Sequence, residues 1–165
     1  MNNSQWSRMQ SAIWSSILEG REFPILADID ETAKGVFLSF VSPKGDIVEQ
    51  KGDTGPALPL VETIGRLTSQ LRSHSKLQGT HLHLTVVKDA VYLEKPLEWD
   101  ATKDGVFFMW GDKYRGMLLP FEIARIKADK VRILDRLCSY KAGVPSSLWR
   151  LPEGTVWALK CDSYN

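Results

Sequence analysis

Between Gly105 and Trp149 the chain reads GVFFMWGDKYRGMLLPFEIARIKADKVRILDRLCSYKAGVPSSLW. Two apolar runs, Gly105–Trp110 and Tyr114–Leu119, flank Gly111-Asp112-Lys113, a short loop whose glycine can take a positive φ, so the pair predicts a β-hairpin. Pro120 to Ala128 then predicts one or two helical turns. Asp129 can cap a periodic helix over Lys130–Ala142, with Val131, Leu134, Leu137, Cys138 and Ala142 as its buried face. Gly143 closes that helix and Pro145 follows two residues beyond. A hairpin delivered directly into a helix needs a sheet with a helix packed on one face, and this restricts the rest of the chain.

The remaining elements agree with that demand. Trp6, Met9, Ile13 and Ile17 recur at helical spacing, widened by Trp14 and Leu18, which predicts a helix over Gln5–Glu19 with Ser4 as its cap and Gly20 at its end. Arg21–Lys34 reads as a connecting loop. Gly35–Val41 and Ile47–Lys51 read as strands joined at Pro43-Lys44-Gly45-Asp46, followed by a bend at 52–56. A second helix is expected from Pro59 to Ser73, with Glu62 and Arg72 placed favourably for the helix dipole. His81–Val87 alternates strictly, turns at Lys88-Asp89 and continues as Ala90–Leu93. Thr155–Cys161 is the last strand. Strands arriving in hairpins predict an α+β fold, a mostly antiparallel sheet packed with about four helices.

At 165 residues the chain is long enough for one domain with a real core. Twenty-one basic side chains against 20 acidic ones give no strongly basic footprint, so nucleic acid is not an expected partner. No apolar run approaches a membrane span, and two cysteines make no disulfide framework, so a cytoplasmic protein is expected.

At LCSYKAGVPSSLW, taken with DGVFFMWGDKYRGMLLP, the sequence resembles the AMME-syndrome chromosomal region (AMMECR-like) domain, called protein A of the AmmeMemoRadiSam system in bacteria. Gly105, Gly116, Leu119, Pro120, Leu137, Cys138, Lys141, Ala142, Gly143 and Pro145 match that pattern, as do Gly35-Val36-Phe37 and Pro59-Leu60-Val61. The resemblance implies one AMMECR-like domain over 1–165, with an N-terminal helix and loop over 1–34 and a family-like core over 35–161. It also implies protein partners of the Memo-like or radical-SAM kind. Two family motifs are missing. Arg-Gly-Cys-Ile-Gly is replaced by Val48-Glu49-Gln50-Lys51-Gly52-Asp53, and Leu71–His81 is too short for Asp-x-Arg-Phe-Pro-Pro.

Several residues could carry chemistry. Glu49, Lys51 and Asp53 place carboxylates beside an amine where the family pattern breaks, a combination suited to acid–base work. His81 and His83 share a strand face, as two metal ligands would, with His74 close in sequence, but no third ligand is evident. Trp99, in a polar segment, could stack on a ligand. Arg115 belongs to a basic stretch with Lys113, Arg125, Lys127, Lys130 and Arg132. Cys138 reads as a core residue. Asp28-x-Asp30-x-Thr32 fits the opening motif of Mg²⁺-dependent haloacid-dehalogenase-type phosphatases, without the later paired aspartates. Two main readings follow. One is a non-catalytic or degenerate accessory module that binds partner proteins through surfaces including Lys51, His81, His83, Trp99 and Arg115. The other is an enzyme with a cleft rebuilt around Glu49–Asp53 and the histidines. No cofactor is expected on either reading.

Overall fold

The alternating apolar run of the first hairpin pairs over a longer distance than its turn residues suggest. A computed structural model describes residues 1–71 and 75–165, so Arg72, Ser73 and His74 lie outside the described residues. In order, the main elements are α1 (Asn3–Glu19), β1 (Thr32–Val41), β2 (Ile47–Pro59), α2 (Leu60–Ser69), β3 (His81–Tyr92), β4 (Gly105–Trp110), β5 (Tyr114–Leu118), α3 (Pro120–Ile126), α4 (Lys130–Arg136) and β6 (Gly154–Tyr164). Six strands are hydrogen-bonded in the order β2-β1-β3-β6-β4-β5. Pairing is antiparallel between β1 and β2 and between β4 and both its neighbours, giving the expected α+β fold.

Two compact units make up the chain: Met1–Val86 with Tyr164–Asn165, and Val87–Ser163. In the first, α1 and α2 place Met9, Ile13, Ile17, Leu60, Ile64 and Leu67 against Val36, Leu38 and Phe40 of β1 and Leu82, Leu84 and Val86 of β3. Helix α1 starts two residues earlier than expected, capped by Asn2 and not by Ser4. Asn2 accepts from the Gln5 backbone amide at 2.9 Å and the Gln5 side chain accepts from the Asn2 amide, so two of the open amides at the helix start are satisfied. Gly20 ends the helix at φ 69°, as expected. Trp14 packs edge-on to Phe40, whereas Leu18 stays half exposed.

Hairpin β1–β2 corrects two sequence expectations. Strand β1 starts at Thr32, inside the segment read as loop, and β2 runs on to Pro59 rather than stopping at Lys51. Thr32 pairs with Pro59 and Ala33 with Leu58, but the next pair is Gly35 with Thr54. Gly55 and Pro56 are thereby absorbed as a bulge, not a bend. Proline is tolerated because β2 lies at the end of the strand order, where a missing amide leaves no partner unsatisfied. At Gly52 a Cβ would fall 2.1 Å from the Phe37 ring, so only a bare backbone lets that ring cross the partner strand.

In the second unit, β4 and β5 pair as expected around Gly111 (φ 56°). Their inner residues Val106, Phe108 and Leu118 join Val156 and Ala158 of β6 under α3, α4 and the turns that follow. Asp129 caps α4 through the Arg132 amide at 2.8 Å. Beyond Arg136 the helix widens, and Leu137–Ala142 forms a π-helical turn that ends at Gly143 (φ 70°), whose amide donates to the Cys138 carbonyl. The expected turn at Lys88-Asp89 does not exist. Strand β3 passes straight through it beside β6, with Lys88 Nζ 3.8 Å from Asp162.

The widened turn lies hard against β5. A Cβ on Gly116 would fall 2.7 Å from Lys141 Cβ and 2.8 Å from the Ala142 nitrogen. Backbone on one side of that contact cannot be relieved by a rotamer change. Gly116→Ala is expected to lower unfolding free energy by about 1–3 kcal/mol, the range for overpacking a close contact, read by urea denaturation.

Candidate functional site

Three positions on β2 carry the strongest chemical candidates. Glu49, Lys51 and Asp53 are two residues apart, so they share one face, opposite Phe40, Leu38 and Val36 respectively. That is the face on which the first core is built. Lys76 lies 2.9 Å from the second carboxylate oxygen of Glu49, and the Gln50 amide donates to the first at 3.3 Å. The Lys76 hydrogen bond holds the Glu49 carboxyl below its usual range, while burial works against it. Asp53 is ion-paired to Arg66 of α2. The two carboxylates are therefore each engaged by a helix-side cation.

The histidines stand elsewhere. His81 and His83 alternate with Leu82 and Leu84, whose side chains enter the first core, so the imidazoles lie on the opposite face. Strand β1 also intervenes between β2 and β3. Lys51 does not converge with either histidine. His81 is exposed, His83 half-buried, and the two line an open groove of about 370 Å³ with Gln10, Trp14, Thr80 and Asn165. Among the described residues no three His, Cys, Asp or Glu side chains gather as a metal cage would. Beside Asp53, the bulge of β2 and Lys34–Val36 enclose a depression of about 80 Å³, small against the roughly 300–1,000 Å³ of small-molecule sites.

Trp99 is 4% exposed and belongs to the second core, so its ring is not offered to a ligand. Lys130 covers it, donating to the carbonyls of Leu97 and Trp99 with Nζ 5.4 Å from the ring centre. Arg115 is exposed on β5, opposite Met109, and donates to the Asp112 carbonyl at 3.3 Å. Asp28 is ion-paired to Arg8 on an exposed loop, and its carboxyl is held low chiefly by that hydrogen bond. Residues 20–31 form no strand, and the sheet pairs are antiparallel, so nothing presents Asp28 and Asp30 as a phosphatase of the haloacid-dehalogenase type requires. The Mg²⁺-phosphatase reading falls with that geometry.

The residues that carry the resemblance do mechanical work. Glu122 accepts from the Leu119 amide at 2.9 Å and from Lys141 at 2.6 Å, tying the start of α3 to the π-helical turn. The Trp149 indole donates to Asp135 at 2.8 Å. Sequence reasoning missed Glu122 and Asp135, because neither shows a partner within helical spacing. Cys138 is fully buried, and burial pushes its thiol up to about 11; Cys161 is raised to about 11 in the same way.

Two outcomes are expected. Lys76→Met should return the Glu49 carboxyl toward its ordinary 4.5, read by carboxyl NMR titration. Because the folded value is depressed in the native protein, the pair's contribution is present above the unfolded value and fades as pH falls through the folded one. Lys76 is half exposed, so that contribution is below about 1 kcal/mol at pH 7. For the thiols, a value near 11 rather than 9.0 leaves about a hundredfold less thiolate at neutral pH, and native-state modification by a thiol reagent should be slowed by that order.

A family model described as AMMECR1 matches residues 68–162. The match thus runs from β3 through most of β6, while β2, where the Arg-Gly-Cys-Ile-Gly motif is absent, lies outside it. The crystal structure of the uncharacterized protein PH0010 from Pyrococcus horikoshii is similar with a TM-score of 0.76 and 21% sequence identity, over 97% of this chain and 88% of that one. At that identity the likeness is one of fold. No curated protein matches the chain.

Proposed function

This chain belongs to the AMMECR1 family, and we propose that it is a non-catalytic member that acts by binding protein partners. The observation that carries this reading is the state of the β2 ladder. Glu49 and Asp53 are held by Lys76 and Arg66 on a strand face directed to the first core, and Lys51 is separated from the histidines by a strand and a sheet face. An acid–base pair needs a shifted proton affinity and access to a bound substrate. At Glu49 the Lys76 hydrogen bond favours the ionised form. The buried, protonated Cys138 supports the same reading, since a nucleophilic thiol needs exposure and a cation to lower its pKa.

The partners suggested by the resemblance are Memo-like and radical-SAM proteins. The double variant Glu49→Gln/Lys51→Met should capture such a partner from the source cell as well as the wild type does, measured by native mass spectrometry of the purified complex. A turnover lost in that variant, with partner capture unchanged, would instead support the rebuilt-cleft enzyme.

A further inference from the structure

Charge is unevenly placed along the chain. Residues 120–150, which hold α3, α4 and the turns after them, carry seven basic side chains against three acidic ones, in a chain whose total is only +1. Three of the seven are spent inside the second unit. Lys130 donates to the carbonyls of Leu97 and Trp99, Lys141 is paired with Glu122, and Arg150 lies 3.5 Å from Asp135 and over the Trp149 ring. Arg125, Lys127, Arg132 and Arg136 are exposed, and none of them forms an ion pair among the described residues. The two carboxylates between Arg125 and Tyr140 are engaged otherwise: Asp129 caps α4 through the Arg132 amide, and Asp135 accepts from the Trp149 indole. Tyr140, 81% exposed, ends the row, with the Arg136 guanidinium 6.0 Å from its ring centre.

Three of the four cations stand where local structure favours something else. Lys127 ends α3 at φ 48°, in the left-handed region where a glycine would be unstrained; among the described residues every other positive φ belongs to a glycine. Arg132 is in the first turn of α4, where the open amides and the helix dipole favour an anion. Arg136 follows it four residues on, about 6 Å along the axis, a spacing at which like charges repel. Folding alone does not call for these charges, and positions that break local rules in this way are where function is expected. We propose that the exposed row from Arg125 to Tyr140 binds an acidic segment of a partner protein, with its carboxylates on Lys127, Arg132 and Arg136 and an apolar side chain laid on Tyr140. This inference rests on the binding-module reading above and gives it a surface and a partner chemistry. A guanidinium meets a carboxylate as a two-pronged donor, which suits three arginines in the row. A nucleic-acid strand is less suited. Holding one needs successive stacking rings and a basic chain, whereas Tyr140 is the single aromatic residue of the row and the total charge is near balance.

The test titrates the full chain with a synthetic glutamate-rich peptide carrying one phenylalanine, and with its glutamine counterpart. The glutamate peptide is expected to bind about tenfold more tightly, to lose affinity steeply with added salt, and to shift NMR signals of residues 125–140. Arg132→Glu should weaken that binding about tenfold while thermal stability stays equal or rises, because an anion suits the first turn of a helix. Lys127→Gly should likewise weaken binding and leave the fold as stable or more so. Lys113→Glu, the same change of charge on the β4–β5 loop, should leave binding unaltered. Equal binding of the two peptides, equal damage from Lys113→Glu and Arg132→Glu, tighter binding of an oligothymidine, or a dimer that buries the row would each overturn the proposal. Loss of stability in both Arg132→Glu and Lys127→Gly would do so too, since the charges would then serve the fold. Capture of a protein partner that survives Arg132→Glu and Lys127→Gly would remove this face and leave the binding-module reading standing. A wild type that captures no partner would instead remove that reading.

Discussion

How near a helix backbone can come to a sheet decides the second unit. At Gly116 the π-helical turn approaches so closely that not even a methyl group fits between Lys141 and β5. The other features of this region follow from keeping that approach. Glu122 ties Lys141 to the start of α3, Gly143 reverses the chain in the left-handed region, and Cys138 fills the space beneath with a small apolar group. A bulkier residue at Gly116 would lift the helix off the sheet and open the core that Phe108 and Leu134 close, whereas at Gly143 a side chain would meet open space and strain only the left-handed backbone.

That dependence explains why the matching residues describe a scaffold and say little about a reaction. Gly116, Leu119, Pro120, Cys138 and Gly143 are occupied with backbone conformation, close packing and helix ends. Groups able to move protons lie mainly on β2 and β3, and each carboxylate on the β2 ladder is neutralised by a cation far away in sequence. Exposed pairs of this kind contribute little stability. Chain economy in the first unit runs through the same strand, since β2 supplies both a core-facing ladder and the bulge that leads into α2.

Legibility of the fold varied with how local the cause was. The β4–β5 hairpin, the Asp129 cap and the Gly20 and Gly143 stops are written in a few adjacent residues, and they appear where periodicity and turn chemistry place them. Lys88-Asp89 and Gly55-Pro56 misled because the same residue types serve two purposes. Charged residues suit a turn, yet they equally suit the exposed stretch of a strand whose backbone is held by its neighbour β6. Glycine and proline suit a bend, yet on an end strand they make a bulge. The π-helical turn has no residue signature at all, because it is defined by a bond that reaches back to the Cys138 carbonyl. Trp99 was hidden by its polar neighbours, and its cover, Lys130, comes from a helix 31 residues later. Of the candidate residues, Arg115 was visible as a charge and stands exposed on β5.

Strands β2 and β5 close the two ends of the strand order. The first carries a proline, a bulge and charged side chains, and the second is only five residues long. Neither presents the long, flat row of unpaired amides on which a foreign strand could grow. Sheet-to-sheet joining, the usual route from a β-rich chain to aggregates, is thereby disfavoured at both ends. Colloidal behaviour at high concentration should then be governed by side-chain surfaces, with the backbone taking little part.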